Sequence, residues 1–369
     1  MPSTLIITND FPPRIGGIES FVSDLCTLLG HDVVVYASCS GAATSDGDRP
    51  FPVIRDGPLL LPTPRVAARA AGLLHDFAAT RVIFGAAAPL GLLAPSLRRA
   101  GAQRILGLTH GHETWWAQVP VARRLLRRIG DSCDHLTTIS SYTERRIARA
   151  LSARARGCLL RLPPPVDIDR FRPPANADVR GVGRCIAVAR LIPRKGLETL
   201  LLAWRKVLDW STRSRARLEL IIIGDGPLRP RLERTIRKLE LSESTELCGA
   251  MPRAEVISEL QRADVFAFPV QTRLAGLNPE GLGLAALEAA ACGLPVIAGD
   301  SGGAPETVRE GGTGFVVPSH DHGLLAQRLI CLLDNPSLAR EMGARGRDYV
   351  AARFSTEVAQ ATLRNALEL

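Results

Sequence analysis

Short apolar runs rich in β-branched residues alternate along the whole chain with longer stretches of helical amphipathic pattern. Apolar runs of this kind are typical of strands that are buried on both faces of a parallel sheet. The predicted strands are 4–10, 32–38, 81–87, 104–110 and 135–140, followed by 184–190, 217–226, 245–250, 264–270, 294–300 and 314–318. This alternation predicts two doubly wound α/β domains in tandem.

The proline-rich segment LPPPVDIDRFRPP at 162–174 interrupts the alternation, because prolines this dense can continue neither a helix nor a strand. A chain of 369 residues also exceeds the usual size of a single core. We therefore predict an N-terminal Rossmann-like domain over 1–165, a linker over 166–180 and a C-terminal Rossmann-like domain over 181–350. A last helix, over 351–369, is expected to pack back on the N-terminal domain.

The composition restricts the class of partner. A net charge of +9 favours an anionic partner, but the arginines are scattered and aromatic residues make up only 5% of the chain. This disfavours a nucleic-acid module with stacking platforms and favours phosphate groups or an anionic membrane surface. The eight cysteines show no C-x-x-C spacing and indicate reduced thiols in a cytoplasmic protein.

No apolar run reaches the roughly 18 residues that a membrane span requires, so any membrane contact is expected to be peripheral. One stretch, 63–81, places Arg65, Arg69 and Arg81 on a mostly apolar amphipathic pattern. It is interpreted either as a surface that rests on an anionic bilayer or as an ordinary helix that covers the first sheet.

Several motifs follow predicted strands, and in doubly wound sheets ligands bind beyond the carboxyl ends of the strands. An interdomain cleft is therefore the expected site. Gly16 and Gly17 lie where a helix begins near Gly17, and free N–H groups there would bind phosphate, but a Gly-Gly pair alone more often marks a structural turn. Arg190, Arg194 and Lys195 follow the first strand of the second domain and indicate a diphosphate clamp, with a solvated basic turn as the alternative.

Two glutamates, Glu280 and Glu288, are eight residues apart in the segment 278–308. The spacing predicts that both lie on one helix and look toward the same cleft, with Glu280 near the helix N-terminus. The alanines and leucines around Glu288 indicate partial burial, and a buried carboxylate requires a partner such as a ligand hydroxyl.

The segment THGHETWW at 109–116 places His110 at the end of a predicted strand. A metal ligand, a base and a residue of a polar turn are the three interpretations that its position leaves open. No set of metal ligands with the required spacing is evident, and no metal is predicted.

Together these motifs resemble those of the GT-B retaining glycosyltransferases of family 4. The resemblance is carried by TNDFPPRIGGIESF at 8–21, by THGHE at 109–113, by the E-x7-E pair at 280–288 and by GLPVIAGDSGGAPETV at 293–308. It covers nearly the whole chain and is closest to the actinobacterial phosphatidyl-myo-inositol mannosyltransferases that use GDP-mannose.

The resemblance implies roles for individual residues. His110 would position the donor sugar or stabilise its developing charge, Glu280 would hold hexose hydroxyls and Glu288 the ribose, and His110, Arg190, Lys195 and Glu280 form the implied catalytic set. The implied donor site is Gly16, Gly17, Arg190, Arg194, Lys195, Glu255, Glu280, Gly281, Leu282, Gly283 and Glu288, with Glu255 as a candidate for guanine. The candidate acceptor residues are Arg14, Arg65, Trp115 and Trp116.

The implied reaction transfers a hexose, mannose first among the candidates, from a GDP-sugar to a hydroxyl acceptor such as a phosphatidylinositol mannoside. The resemblance implies no metal and no cofactor, since the nucleotide sugar is a co-substrate. The bulky ETWWAQ segment at 113–118 keeps a second interpretation open, a secondary-metabolite glycosyltransferase that uses another GDP- or UDP-sugar and a soluble acceptor. A non-catalytic sugar-binding protein and a sugar-phosphate epimerase are the alternatives from other classes.

Overall fold

The structure is a computed structural model that describes residues 3–14, 16–39, 46–174, 182–211, 217–273, 276 and 278–369. The contacts divide the chain into two compact units. The first contains the chain up to Pro165 together with Thr356–Leu369, and the second is Val166–Ser355. The segment predicted as a linker thus enters the second unit at Val166, and its residues 175–180 lie outside the described part of the chain.

The first unit is built on a parallel sheet of seven strands. These are β1 Thr4–Thr8, β2 Val33–Ala37, β3 Val53–Arg55, β4 Arg81–Phe84, β5 Arg104–Gly107, β6 His135–Thr138 and β7 Leu159–Arg161. Their order is β3-β2-β1-β4-β5-β6-β7. Because β1 pairs with both β2 and β4, the direction of strand order reverses beside it, as in doubly wound folds.

Helices cover both faces of this sheet. They are α1 Gly17–Leu29, α2 Pro64–Asp76, α3 Ala87–Leu90, α4 Ala94–Arg99, α5 Glu113–Trp116, α6 Pro120–Ser132, α7 Ser141–Ala148 and α8 Ala153–Gly157. Successive residues of β1 contribute to opposite cores, since Leu5 and Ile7 join one apolar cluster and Ile6 joins the other. This two-sided burial explains why the strands read as continuous apolar runs instead of alternating patterns.

The second unit repeats the design with a six-stranded parallel sheet. Its strands are β8 Gly183–Val188, β9 Leu218–Ile223, β10 Thr245–Gly249, β11 Val265–Phe268, β12 Val296–Gly299 and β13 Gly314–Val317, in the order β10-β9-β8-β11-β12-β13. Its helices are α9 Leu197–Trp210, α10 Arg229–Lys238, α11 Arg253–Gln261, α12 Leu284–Ala291, α13 His322–Leu333 and α14 Pro336–Phe354.

The last helix, α15 Thr356–Leu367, belongs to the first unit. Its apolar residues Leu363 and Leu367 are fully buried in the cluster that contains Phe21 of α1. Arg81 fixes the helix end by donating from Nε to the carbonyl of Leu367 at 2.7 Å. Helix α15 is therefore an integral part of the first unit's core.

The position of Arg81 corrects one expectation. The stretch 63–81 is not a single amphipathic helix, because α2 ends at Asp76 and Arg81 opens β4. A basic face made of Arg65, Arg69 and Arg81 therefore does not exist, since the guanidinium of Arg81 is held by the C-terminal helix and by Ser3.

The fold class expected from the sequence, two doubly wound α/β domains, is confirmed. Each predicted strand corresponds to an observed one, but β3 and β7 were not predicted. Each of these two is only three residues long and lies at an edge of the sheet, where half-buried residues give no continuous apolar run. Among the residues that the structure describes, no helix is long and apolar enough to cross a bilayer.

Candidate active site

In the second unit, two cations and a carboxylate converge beyond the end of β8. Arg194 and Lys195 lie in a short 3-10 turn, Pro193–Lys195, that precedes α9. Arg194 Nη1 and Lys195 Nζ each lie 2.8 Å from the same atom, Oε2 of Glu280. Lys195 Nζ also lies 5.3 Å from the ring centroid of Phe268, so its charge is balanced from two sides.

These cations decide the ionisation of Glu280, whose residue exposure is only 7%. Burial alone would raise the pKa of the carboxyl group, but the charges of Lys195 and Arg194 and the hydrogen bond from Lys195 outweigh it and hold the pKa below its ordinary value. Glu280 is therefore a carboxylate at neutral pH.

The backbone around Glu280 is fixed by the turn after β12. Ser301 Oγ accepts from the backbone N–H of Glu280 at 3.2 Å, and the N–H of Gly303 donates to the Glu280 carbonyl at 2.9 Å. Gly302 has φ +60°, and a Cβ there would stand 2.0 Å from the Glu280 carbonyl oxygen. Only glycine fits such an approach, which explains the Ser-Gly-Gly turn as the support of Glu280.

The structure places the two glutamates differently from the sequence prediction. Helix α12 begins at Leu284, so Glu280 lies before the helix and Glu288 within it. Gly283 is the N-cap residue of the helix, with φ +118° and in close contact with the Phe268 ring. Because this backbone conformation is not helical, the helix begins only after Gly283. The eight-residue spacing is thus not two turns of one helix, and that expectation is wrong. Gly281 and Leu282 complete the connection, with Leu282 buried.

Glu288 has a protein partner that the sequence did not indicate. Its Oε1 lies 2.8 Å from Nη2 of Arg253, and its side chain is 14% exposed. Arg253 opens α11 and stacks on the ring of Phe171, with 5.1 Å from the guanidinium carbon to the ring centroid. Because 35 residues separate the two partners, no spacing pattern reveals the pair. Glu255, in the same first turn of α11, is exposed.

Arg190 stands apart from the Glu280 cluster. It follows β8, its side chain is exposed, and within the described residues it has no ion pair or side-chain hydrogen bond. The structure therefore brings Arg194, Lys195 and Glu280 together and leaves Arg190 as an unpaired cation at the same end of the sheet.

In the first unit, His110 lies just beyond the end of β5. Its Nε2 is 2.5 Å from the carbonyl oxygen of Gly85. A carbonyl only accepts, so Nε2 carries the proton and, in the neutral ring, Nδ1 is the acceptor. Burial lowers the pKa of His110 below its ordinary value, against the opposing influence of Glu113. The ring packs edge-on against Phe21 of α1, with 5.6 Å between centroids.

Glu113 holds the backbone that carries this histidine. Its carboxylate is completely buried, and Oε2 accepts from the N–H groups of His110 at 2.9 Å and Gly111 at 3.2 Å. Its other oxygen lies 3.2 Å from Nε2 of His112. Through these contacts Glu113 orients the loop that carries His110, and His112 packs beside it.

The glycine turn before α1 is occupied by an acidic side chain. Gly16 caps the helix and Gly17 is its first residue, while Glu19 in the first turn is 7% exposed and folds back onto Gly16. Arg14 lies 3.4 Å from Glu19 and 3.7 Å from Asp10. An anion at this helix start would therefore meet a carboxylate as well as free N–H groups.

The remaining candidate acceptor residues of the first unit differ in exposure and in their partners. Arg65 pairs with Asp56 at 2.6 Å and is 77% exposed. Trp116 is half-buried and packs against the core, whereas Trp115 is 41% exposed. Within the part of the chain that the structure describes, no three His, Cys, Asp or Glu residues form a group that could hold a metal.

Comparison with known proteins gives the family. Residues 15–170 match the family model described as Glycosyltransferase Family 4, and residues 181–349 match the model described as Glycosyl transferases group 1. A mannosyltransferase from Corynebacterium glutamicum, named as GDP-mannose-dependent and acting on a monoacylated alpha-(1-6)-phosphatidylinositol monomannoside, is 40% identical over 99% of this chain and 97% of its own. The chain belongs to the family 4 glycosyltransferases.

Two further relatives extend this finding. The GDP-mannose-dependent alpha-(1-6)-phosphatidylinositol monomannoside mannosyltransferase of Mycobacterium tuberculosis is 41% identical over 98% of this chain and 97% of its own. That of Mycolicibacterium smegmatis is 42% identical over 94% of this chain and 93% of its own. The family expected from the sequence motifs is confirmed, and this family 4 member is an enzyme that transfers glycosyl groups.

Solved structures support the fold. The Anabaena protein Alr3699/HepE in complex with UDP superposes with a TM-score of 0.81 at 18% identity, covering 100% of both chains. Sucrose-phosphate synthase from Thermosynechococcus elongatus gives a TM-score of 0.78 at 20% identity and covers 98% of both. At these identities the likeness concerns the fold alone, which is GT-B.

Proposed function

We propose that this glycosyltransferase transfers mannose from GDP-mannose to a hydroxyl group of a phosphatidylinositol mannoside, with retention of the anomeric configuration. The identities of 40–42% to three mannosyltransferases named for this donor and this class of acceptor support the choice of substrates. The observation that carries the chemistry is the cluster of Glu280 with Lys195 and Arg194.

The cluster suits a reaction whose leaving group is a diphosphate. Negative charge grows on the diphosphate as the glycosidic bond breaks, and fixed cations that face this charge stabilise the transition state. In the proposal, Arg190, Arg194 and Lys195 supply this charge in place of a metal ion. Glu280 keeps Lys195 and Arg194 in position and accepts hydrogen bonds from hexose hydroxyls.

His110 takes the sugar side of the proposed site. A neutral imidazole with its proton on Nε2 presents Nδ1 as an acceptor, which fits a sugar hydroxyl or a developing positive charge and does not require a metal. Glu288 would bind the ribose hydroxyls and Glu255 the guanine. Gly16 and Gly17 would approach the diphosphate once the Glu19 side chain, which lies against Gly16, moves away.

The order of events follows from retention without a clearly placed carboxylate nucleophile. The acceptor hydroxyl attacks from the face that the diphosphate leaves, the carbon–oxygen bond to the diphosphate breaks, and the hydroxyl proton passes to the departing diphosphate. The protein contributes positioning and charge stabilisation. Because the proposed acceptor resides in a bilayer, the reaction takes place at a membrane surface.

A donor and acceptor screen tests the proposal. The purified enzyme is incubated with GDP-mannose, GDP-glucose or UDP-glucose and with either detergent-dispersed phosphatidylinositol monomannoside or a panel of soluble polyols and thiols, and products are identified by mass spectrometry. We expect transfer from GDP-mannose to the lipid, with an α-linkage by NMR. Efficient transfer to the soluble panel alone would refute the lipid acceptor, and a β-linked product would refute retention.

A further inference from the structure

The positive charge of the chain is concentrated on one part of the first unit. Between residues 120 and 156 the sequence contains nine arginines, no lysine and three acidic residues, which leaves +6 of the formal net charge of +9. The three carboxylates already have partners: Asp134 pairs with Arg98, Glu144 pairs with Arg161, and Asp131 accepts a hydrogen bond from the Ser152 hydroxyl. The excess charge in this segment is therefore not balanced by carboxylates of the segment itself.

Helix α6 carries the densest part of this charge. Arg123, Arg124, Arg127 and Arg128 form two adjacent pairs one helical turn apart, and all four are exposed. The guanidinium of Arg123 bonds to the Arg149 carbonyl. Among the described residues, Arg124, Arg127 and Arg128 have neither an ion pair nor a side-chain hydrogen bond. A helix that keeps three free guanidinium groups together is electrostatically unfavourable without an anionic partner.

Exposed apolar side chains stand at the start of the same helix. Val121 is 67% exposed, Val119 is 42% exposed and Trp115 of the preceding helix α5 is 41% exposed. The opposite face of α6 is anchored, since Leu126 and Ile129 are fully buried in the core. The helix thus lies flat on the unit and presents arginines along its length and apolar groups at its beginning.

We infer that α5 and α6 form a docking surface for an anionic lipid bilayer, which we call the α6 surface and define by Trp115, Val119, Val121, Arg124, Arg127 and Arg128. Arginines near an anionic bilayer gain electrostatic attraction, and exposed Trp and Val side chains enter the headgroup boundary. A soluble polyanion would use the arginines but would gain nothing from the valines. The role of this docking, which is to bring a lipid acceptor to the enzyme, rests on the proposed function; the binding of the bilayer itself does not.

The location differs from the first expectation and has a functional consequence. The α2 region offers less free positive charge to a bilayer, because Arg65 pairs with Asp56 and Arg81 is bound by the C-terminal helix. The α6 surface instead begins at Trp115, in the loop-and-helix segment that starts from His110. Docking there would hold a bilayer close to the residue that the proposed mechanism assigns to the sugar.

Vesicle binding of the full chain tests the α6 surface. The variant R124Q/R127Q/R128Q and the matched control R234Q/R237Q/K238Q, which removes three charges from exposed positions of α10, are cosedimented with phosphatidylcholine vesicles with and without phosphatidylglycerol. With a loss of about fivefold per arginine, we expect the α6 variant to bind the anionic vesicles roughly a hundredfold more weakly than wild type. The α10 variant should bind like wild type, and neutral vesicles should bind all three weakly.

Two further variants test the apolar side chains of the α6 surface. Val121→Ser should weaken vesicle binding severalfold and leave heparin binding unchanged, and the fluorescence shift on vesicle binding should disappear in Trp115→Phe. Equal losses in the α6 and α10 variants, no effect of Val121→Ser on vesicles, or wild-type binding to heparin but not to vesicles would overturn the inference.

Turnover with a deacylated, water-soluble acceptor should be unchanged in the α6 arginine variant. A wild-type enzyme that bound vesicles through this surface but transferred no mannose would refute the proposed function and not the surface.

Discussion

Lys195 and Glu280 form an ion pair of 2.8 Å between residues 85 positions apart in the sequence, and Arg194 contacts the same carboxylate oxygen. The carboxylate holds the two cations next to each other. Their charge is only partly compensated, because one carboxylate balances one of the two. The arrangement is therefore an electropositive site that exists before any donor arrives.

The first prediction concerns two of the cations that the proposed function assigns to the diphosphate, Lys195 of the Glu280 cluster and the separate Arg190. Replacing Lys195 or Arg190 with alanine should lower kcat about 10²–10³-fold, because each change would remove a cation that stabilises the growing charge of the leaving diphosphate. Thermal unfolding should show that both variants remain folded. Lys238→Ala, an exposed cation on α10 of the same unit, is the matched control and should leave kcat unchanged. Near wild-type rates in both site variants would place the diphosphate elsewhere.

The second prediction concerns the stability that Glu280 contributes at different pH values. Its pKa is depressed in the folded protein from the ordinary value of 4.5. The stabilisation is therefore fully present above the unfolded pKa and is lost as the pH falls through the folded one. The free energy of unfolding of wild type should exceed that of Glu280→Gln at neutral pH, and the difference should shrink below about pH 4.5. A difference that stayed constant with pH would show that the ion pairs do not stabilise the carboxylate.

The succession of most strands along the chain could be predicted from the sequence, because buried parallel strands produce continuous apolar runs, and the candidate site residues were chosen because they follow the ends of such runs. The partners of those residues could not. Arg253 meets Glu288 only because α11 and α12 come together in the fold. Likewise, the start of α12 depends on Gly283 and the ring of Phe268, a contact that no local pattern contains.

The third prediction separates two roles of Glu288. If it binds the ribose as proposed, Glu288→Gln should weaken GDP binding about tenfold or more, since hydrogen bonds to charged groups contribute about 1.5–3 kcal/mol. Isothermal titration with GDP measures the effect. Arg253→Lys, which retains a cation beside the carboxylate, is the control and should weaken GDP binding less. Loss of thermal stability in Glu288→Gln with unchanged affinity for GDP would assign the glutamate to the ion pair alone.

The fourth prediction follows from the environment of His110. Burial lowers its pKa below the ordinary value of 6.5, so the folded protein binds fewer protons than the unfolded chain just below that pH. Its contribution to stability is complete above pH 6.5 and decreases as the pH falls toward the folded pKa. NMR titration should place the His110 midpoint below the ordinary value of 6.5. A midpoint above that value would contradict a neutral ring. His110→Ala should lower kcat about 10²–10³-fold and remain folded.

The last prediction distinguishes the two classes of acceptor. In the proposed function Arg14 and Arg65 would bind the phosphodiester of the acceptor, in exchange for the carboxylates that now pair with them: Glu19 and Asp10 with Arg14, and Asp56 with Arg65. With a deacylated phosphatidylinositol mannoside as acceptor, Arg14→Ala and Arg65→Ala should raise the acceptor KM about tenfold or more and leave the donor KM nearly unchanged.

Arg99→Ala, an exposed arginine of α4, is the matched control and should change neither constant. The opposite pattern of KM changes would indicate the other class of acceptor. If Trp115→Ala raised the acceptor KM while both arginine variants behaved like the control, an apolar wall would be binding a neutral acceptor. Recognition of the acceptor through its phosphodiester would then be excluded, although the proposed transfer of mannose from GDP-mannose would remain. Steady-state kinetics with the concentrations of both substrates varied measure the acceptor KM and the donor KM of each variant. A change that acts only on the acceptor alters the acceptor KM and leaves the donor KM unchanged.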